Sequence, residues 1–267
     1  RFRNVTGVQT CALPICLYRP DSEIVGLNRN GRLPAPSYDL LTVLDVSRRI
    51  AQASGGAFDP TVQPLWNLYS AYFAADETAT DDPSPSLIGA AHALTDFTAL
   101  DAGPRGIGFA KRGMALTLNG IAQGYITDRI ADLLRNEGFD HAMVELGETR
   151  ALGAAIDGRP FKVSLMSPKL PRLLDRTVDL ADASLSVSGG YGLRFGRSNS
   201  HHIFDPATGR SPNRLLDVAV IAPRATLADG LSTALFVAGE EAAPKILLAY
   251  PSARVLMTRA DGSTVTL

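Results

Sequence analysis

The chain has 267 residues with a formal net charge of −1, 45% hydrophobic residues and 20% charged ones. That balance suits one large globular unit with a sizeable core, and it excludes a bulk electrostatic pull toward nucleic acid or anionic membranes. No apolar run approaches the about 18 residues of a spanning helix, and the two cysteines, Cys11 and Cys16, supply neither a disulfide framework nor a metal cluster.

Residues 5–15, VTGVQTCALPI, have no period and no cap, and read as the translated product of a common sequencing-library adapter. Residues 1–15 are therefore expected to be non-native and 16–267 to form the functional domain. On that reading the natural N-terminus is missing, together with any export signal or lipid-anchored cysteine.

In chain order, the first clear element is a helix over 37–54. Leu40, Leu41, Leu44 and Ile50 share a face, Ser37 is placed as N-cap, and Gly55-Gly56 stops it. The segment 78–86, TATDDPSPS, breaks both regular periods and reads as an exposed loop. A second helix is predicted over 121–137 from Ile126, Ile130, Leu133 and Leu134, with Gly138 as its cap. Ala142, Val144 and Leu146 then alternate as a strand does. A strand over 217–222, a helix near 227–238 and a hairpin of 253–258 with 263–267 around Asp261-Gly262 complete the reading. The spacing is too irregular for a doubly wound sheet, so the expected class is α+β.

Four segments could carry chemistry. In SGGAFDPTVQPLW, residues 54–66, free amides could meet an anion and Phe58 or Trp66 could stack on a ring; read alone, an Asp-Pro turn between core aromatics is the better explanation. In LNGIAQGYITD, residues 118–128, a strand end at Gly120 and a helix opening near Gly124 resemble a phosphate-facing helix start, or simply a glycine turn. In SHHIFDPATG, residues 200–209, His201 and His202 point to opposite faces if extended. They are therefore poor joint metal ligands, though one could act as a general base. In RATLADGLSTALFVAG, residues 224–239, Asp229 and Thr233 stand one helical turn apart and pair a carboxylate with a hydroxyl, the hard oxygen donors that Mg²⁺ takes. An N-terminal-turn aspartate serving the helix dipole is the plainer alternative.

Taken in order, YRPDSEIVGLN, GAFDPTVQPLW, GIAQGYITD, the VELG strand, SVSGGY, HHIFDPATG and ADGLSTALFV resemble the ApbE family of FAD:protein FMN transferases, from about Leu17 to the C-terminus. The resemblance implies a T-fold-like α+β unit with helices packed on antiparallel or mixed sheets. It also implies Mg²⁺-dependent transfer of FMN from FAD to a threonine or serine of a target protein, releasing AMP. By resemblance the metal ligands are Asp229, Thr233 and the backbone carbonyl of Gly120. Asn28, Ala57, Phe58, Asp59, Thr117, Gln123 and Ile203 contact FAD, and His202 is preferred over His201 as the base. The implied acceptor is a membrane-associated redox protein with a Ser/Thr flavinylation motif, met in the periplasm or at the outer face of the cytoplasmic membrane; no nucleic acid is implied. Hydrolysis of FAD by water and non-catalytic FAD binding are the competing readings. The chain departs from the family pattern where Thr117 stands for aspartate, Gln123 for lysine or glutamate, Glu148 for the second glycine of a pair, and Gly230 for alanine. The family's flavin-touching N-terminal methionine segment is replaced by the adapter-like one, which implies weaker FAD binding.

Overall fold

The computed structural model describes residues 14–165 and 176–267. The expected non-native segment lies outside the described residues except for Pro14 and Ile15. Those two pack with the domain: the Pro14 carbonyl accepts from the Ile24 amide, and Ile15 is buried in the core.

The chain begins with α1 (Glu23–Asn30), whose Ser22 side chain accepts from the Val25 amide as N-cap. A short β1 (Arg32–Pro34) follows, then α2 (Tyr38–Ala53), capped by Ser37 as its sequence predicts. The helices α3 (Gln63–Ala75) and α4 (Pro85–His92) come next. Pro85, expected to lie in a loop, instead opens α4 behind the cap Ser84, a position where its missing N–H is harmless. The hairpin β2 (Leu100–Gly103) and β3 (Gly106–Phe109) joins β1 in a three-stranded antiparallel sheet, order β1-β3-β2.

The second half holds the larger sheet. After α5 (Ala122–Asn136) come β4 (Ala142–Glu145) and β5 (Thr149–Leu152), then the small hairpin β6 (Phe161–Ser164) and β7 (Thr177–Leu180). Next are β8 (Ser184–Gly189), β9 (Leu215–Ala222), α6 (Ala225–Ala238), α7 (Ala243–Leu247), β10 (Arg254–Arg259) and β11 (Thr264–Thr266). Six of these strands form a sheet in the order β11-β10-β9-β8-β5-β4, antiparallel at every pairing. The class is α+β, as expected, with each described strand pair antiparallel.

The helix α6 is buried on nearly every side, and its Leu231, Leu235 and Phe236 belong to the main core with Val218 and Val220 of β9. A side chain at Gly230 would meet Ile50 Cδ1 of α2 at 2.4 Å. The glycine therefore lets α2 and α6 approach closely, which offsets its helix-propensity cost of about 1 kcal/mol. A separate aromatic core of Tyr69, Phe73, Phe195 and Phe204 ties α3 to the long segment between β8 and β9.

The strand expected just before Gly120 is absent, and residues 114–118 run without regular structure. The side chain of Asn28 explains how that backbone is satisfied. Its Nδ2 donates to the Leu116 carbonyl at 2.8 Å, and its Oδ1 accepts from the Leu116 amide at 2.7 Å. One amide side chain thus makes the two bonds that a neighbouring strand would make.

Candidate active site

The site is assembled where α5 meets α6. Asp229, 4% exposed in the second turn of α6, accepts from the Gly124 amide at 2.9 Å. Only glycine fits at 124, since a Cβ there would lie 2.3 Å from the Ala225 carbonyl oxygen. One turn along α5, Asp128 grips the start of α6. It accepts from the Ala225 and Thr226 amides at 2.9 Å each, from the Thr226 hydroxyl at 2.6 Å and from Arg150 at 2.7 Å. The dipole-serving aspartate of this helix is therefore Asp128, reaching across from α5, which frees Asp229 for other work.

Thr233 stands one turn beyond Asp229 and abuts Gly120, whose ideal Cβ position is 3.1 Å from Thr233 Oγ1. Gly120, Asp229 and Thr233 all border one cavity of about 280 Å³. Ala57, Phe58, Asp59, Thr117, Gln123, Ile203 and His202 border it too, so segments distant in sequence converge on one cavity.

Two residues of the expected set do not line the cavity. Asn28 acts through Leu116, fixing the backbone that leads to Thr117 and Gly120. His201 is 2% exposed, with Nε2 2.8 Å from the Pro212 carbonyl, while Nδ1 accepts from the Ile203 amide at 3.3 Å. A carbonyl takes only a donor, so the proton sits on Nε2 and both nitrogens are engaged. His201 holds the chain around Ile203. His202, by contrast, borders the cavity with Nδ1 3.2 Å from the Leu193 carbonyl. That bond places the proton on Nδ1 and leaves Nε2 as the basic atom. Burial pushes its pKa below the ordinary histidine value, with the Leu193 contact opposing.

Asp59 has a double position. Its carboxylate accepts from the Thr61 amide and hydroxyl at 2.7 and 2.6 Å and from the Phe97 amide at 3.0 Å. It is the turn-former of the Asp-Pro segment as well as a cavity wall, and burial raises its pKa. Phe58, which is buried, and Trp66 both border the cavity and give it aromatic lining.

The cavity is also acidic. Besides Asp229 it carries Glu148, 7% exposed, set by the tight turn between β4 and β5 where Gly147 takes φ +95°. Burial pushes both carboxyls well above the usual carboxylate range, and the Asp229 charge raises Glu148 further. Neither has a cationic partner in any ion pair among the described residues. Without a cation such a pair relieves its repulsion by holding protons, which a bound cation would displace. Among the described residues no cluster of three or more His, Cys, Asp or Glu is arranged for a metal. A dication here would have to complete its shell with hydroxyl, carbonyl, water and phosphate oxygens, the donor mix that suits Mg²⁺.

Glu148 was legible in the sequence only as an exception to the glycine pair. The hydroxyls behind Thr233 were not singled out. Ser188 lies 3.1 Å from Thr233 Oγ1 and 2.7 Å from Ser232 Oγ, and Ser186 lies 3.2 Å from Ser232 Oγ. The period-two run Ser184, Ser186, Ser188 on β8 is the signal that places these hydroxyls on one face.

A family model described as the ApbE family matches residues 12–257. The FAD:protein FMN transferase of Haemophilus influenzae is 31% identical over 93% of this chain and 75% of its own length. That of Treponema pallidum is 33% identical over 96% of this chain and 76% of its own length. Among solved structures, the flavin transferase ApbE from Vibrio cholerae superposes with a TM-score of 0.82 at 29% identity, covering 99% of this chain and 89% of that one.

Proposed function

The chain belongs to the ApbE family, and from that membership and its cavity we propose that it transfers FMN from FAD to a threonine or serine hydroxyl of an acceptor protein, with Mg²⁺ bound and AMP released. The relatives that this chain matches over about three quarters of their length are FAD:protein FMN transferases. The observation that carries the reading is the convergence of His202, Asp229, Thr233, Gly120 and the Phe58 wall on one cavity.

The acceptor hydroxyl oxygen bonds to the FMN-side phosphorus, and the bond from that phosphorus to the bridging oxygen breaks. The bridging oxygen leaves on AMP, and the hydroxyl proton passes to Nε2 of His202. His202 suits this step because its Nδ1 is fixed on Leu193 and its burial keeps the ring neutral near pH 7. Asp229, Thr233 and the Gly120 carbonyl would hold Mg²⁺, which neutralises charge on the phosphoryl oxygens. Phe58 and Trp66 offer faces to the isoalloxazine ring, and Gln123 offers an amide on the same wall.

By the same resemblance the acceptor is a membrane-held redox protein carrying a short Ser/Thr motif, met at the outer face of the cytoplasmic membrane. No helix among the described residues is long and apolar enough to cross a membrane. Product stoichiometry tests the reading: AMP should appear one-for-one with protein-bound flavin. Free FMN with AMP and no bound flavin would instead make the chain an FAD pyrophosphatase.

A further inference from the structure

We propose that Glu148 is a further anionic determinant of the cation site, holding the divalent ion through its Oε2 directly or through one water. The inference rests on the reading that the ion sits at Asp229 and Thr233, and adds a residue that the resemblance does not supply.

Three observations carry it. Glu148 is 7% exposed and borders the same cavity as Asp229, and its Oε2 is buried without a hydrogen-bond partner. A buried carboxylate oxygen beside a cavity without a donor is a costly arrangement in the absence of a ligand. Second, the turn that presents it is tightly specified. The Leu146 amide donates to the Glu148 carbonyl at 3.1 Å, Gly147 sits at φ +95°, and a Cβ on Gly147 would meet Gln123 Nε2 at 2.6 Å. The carboxylate is thus aimed by the backbone rather than left to a flexible loop. Third, the β5–β8 register, with Thr149 opposite Leu185, brings Glu148 level with Ser186, from which a hydroxyl chain runs through Ser232 and Ser188 to Thr233. The orphaned carboxylate and the expected ligand Thr233 therefore border one cavity, with this hydroxyl chain ending at Thr233. With Asp229 on the same cavity, the site presents two carboxylates to a single dication.

The test is calorimetric titration of MgCl₂ into the full chain, with and without FAD, for wild type, Glu148→Gln and Asp229→Asn, alongside melting in EDTA. Glu148→Gln keeps the shape and removes the charge. It should weaken Mg²⁺ by about 10- to 100-fold, the range seen when metal-supporting groups are lost, while its melting point in EDTA equals or exceeds that of wild type. Glu148→Asp should recover part of the affinity. If Glu148→Gln binds Mg²⁺ within about two-fold of wild type while Asp229→Asn is weakened, Glu148 is a bystander and the inference fails alone. A lower melting point of Glu148→Gln in EDTA would make the residue structural and also overturn it. If wild type binds no Mg²⁺ under either condition, or Asp229→Asn binds as wild type does, the cation site itself is misplaced.

Discussion

The amide of Gly124, near the start of α5, donates to the Asp229 carboxylate of α6 at 2.9 Å, joining two helices at the acidic wall. No other residue at 124 keeps this bond, because a Cβ would lie 2.3 Å from the Ala225 carbonyl oxygen and 2.8 Å from Asp229 Cβ. Gly124→Ala is expected to destabilise by about 1–3 kcal/mol, the usual range for overpacking. It should also weaken Mg²⁺-dependent turnover beyond what the stability loss explains. Denaturant melts and FAD consumption measured on the same preparation check both.

Asp229→Asn preserves the acceptor for Gly124 and removes the charge. Turnover should fall by at least about a hundredfold, the order expected when a main electrostatic group of the site is lost, with the protein still folded by circular dichroism. Near-normal turnover at saturating Mg²⁺ would take α6 out of the metal site.

The two histidines should separate cleanly. His202→Ala should slow transfer by about 10²–10⁴-fold, the contribution of a positioned base, and leave FAD affinity near that of wild type. Burial lowers the His202 pKa, so its basic form persists further into acid than that of a free histidine. The wild-type rate is therefore expected to hold from neutral pH down past about 6.5, to fall only as pH drops through the lowered pKa, and to lose that limb in His202→Ala. His201→Ala should act through the fold instead, costing about 1–3 kcal/mol for the buried groups it leaves unpaired. Thermal melts against a pH–rate profile distinguish the two roles.

Arg150 and Asp128 form a buried ion pair at 2.7 Å, with Asp128 also capping α6. Removing the guanidinium in Arg150→Ala is expected to cost about 3–5 kcal/mol, because a buried carboxylate then loses its main counter-charge. Equilibrium urea unfolding measures this directly.

The elements read from sequence were those with a local signature. The 37–54 helix emerged as Tyr38–Ala53 because Ser37 caps it and its apolar face is periodic, and the C-terminal hairpin emerged from its Asp-Gly turn. By contrast α3 buries Leu65, Tyr69 and Phe73 on one face in a second core but also carries Trp66, Leu68 and Tyr72 on other faces, which blurs its helical period. The strand expected before Gly120 failed for a non-local reason: Asn28, 88 residues away in sequence, supplies the partner bonds. At the site, motif order was enough to bring Asp229, Thr233, Gly120 and His202 to one cavity. Glu148 was hidden because its meaning depends on what it lacks, a donor for Oε2 and a cation nearby, and neither absence can be read from neighbouring letters.

The central claim is the attachment of FMN to a protein hydroxyl, and intact-mass spectrometry of an acceptor domain bearing a Ser/Thr-Gly-Ala-Thr type motif tests it most directly. Incubated with the chain, FAD and Mg²⁺, the acceptor should gain the mass of one phosphoester-linked FMN. The gain should vanish without Mg²⁺ or with Asp229→Ala. An acceptor of unchanged mass while FAD is split to FMN and AMP, or while FAD stays intact, would contradict the account.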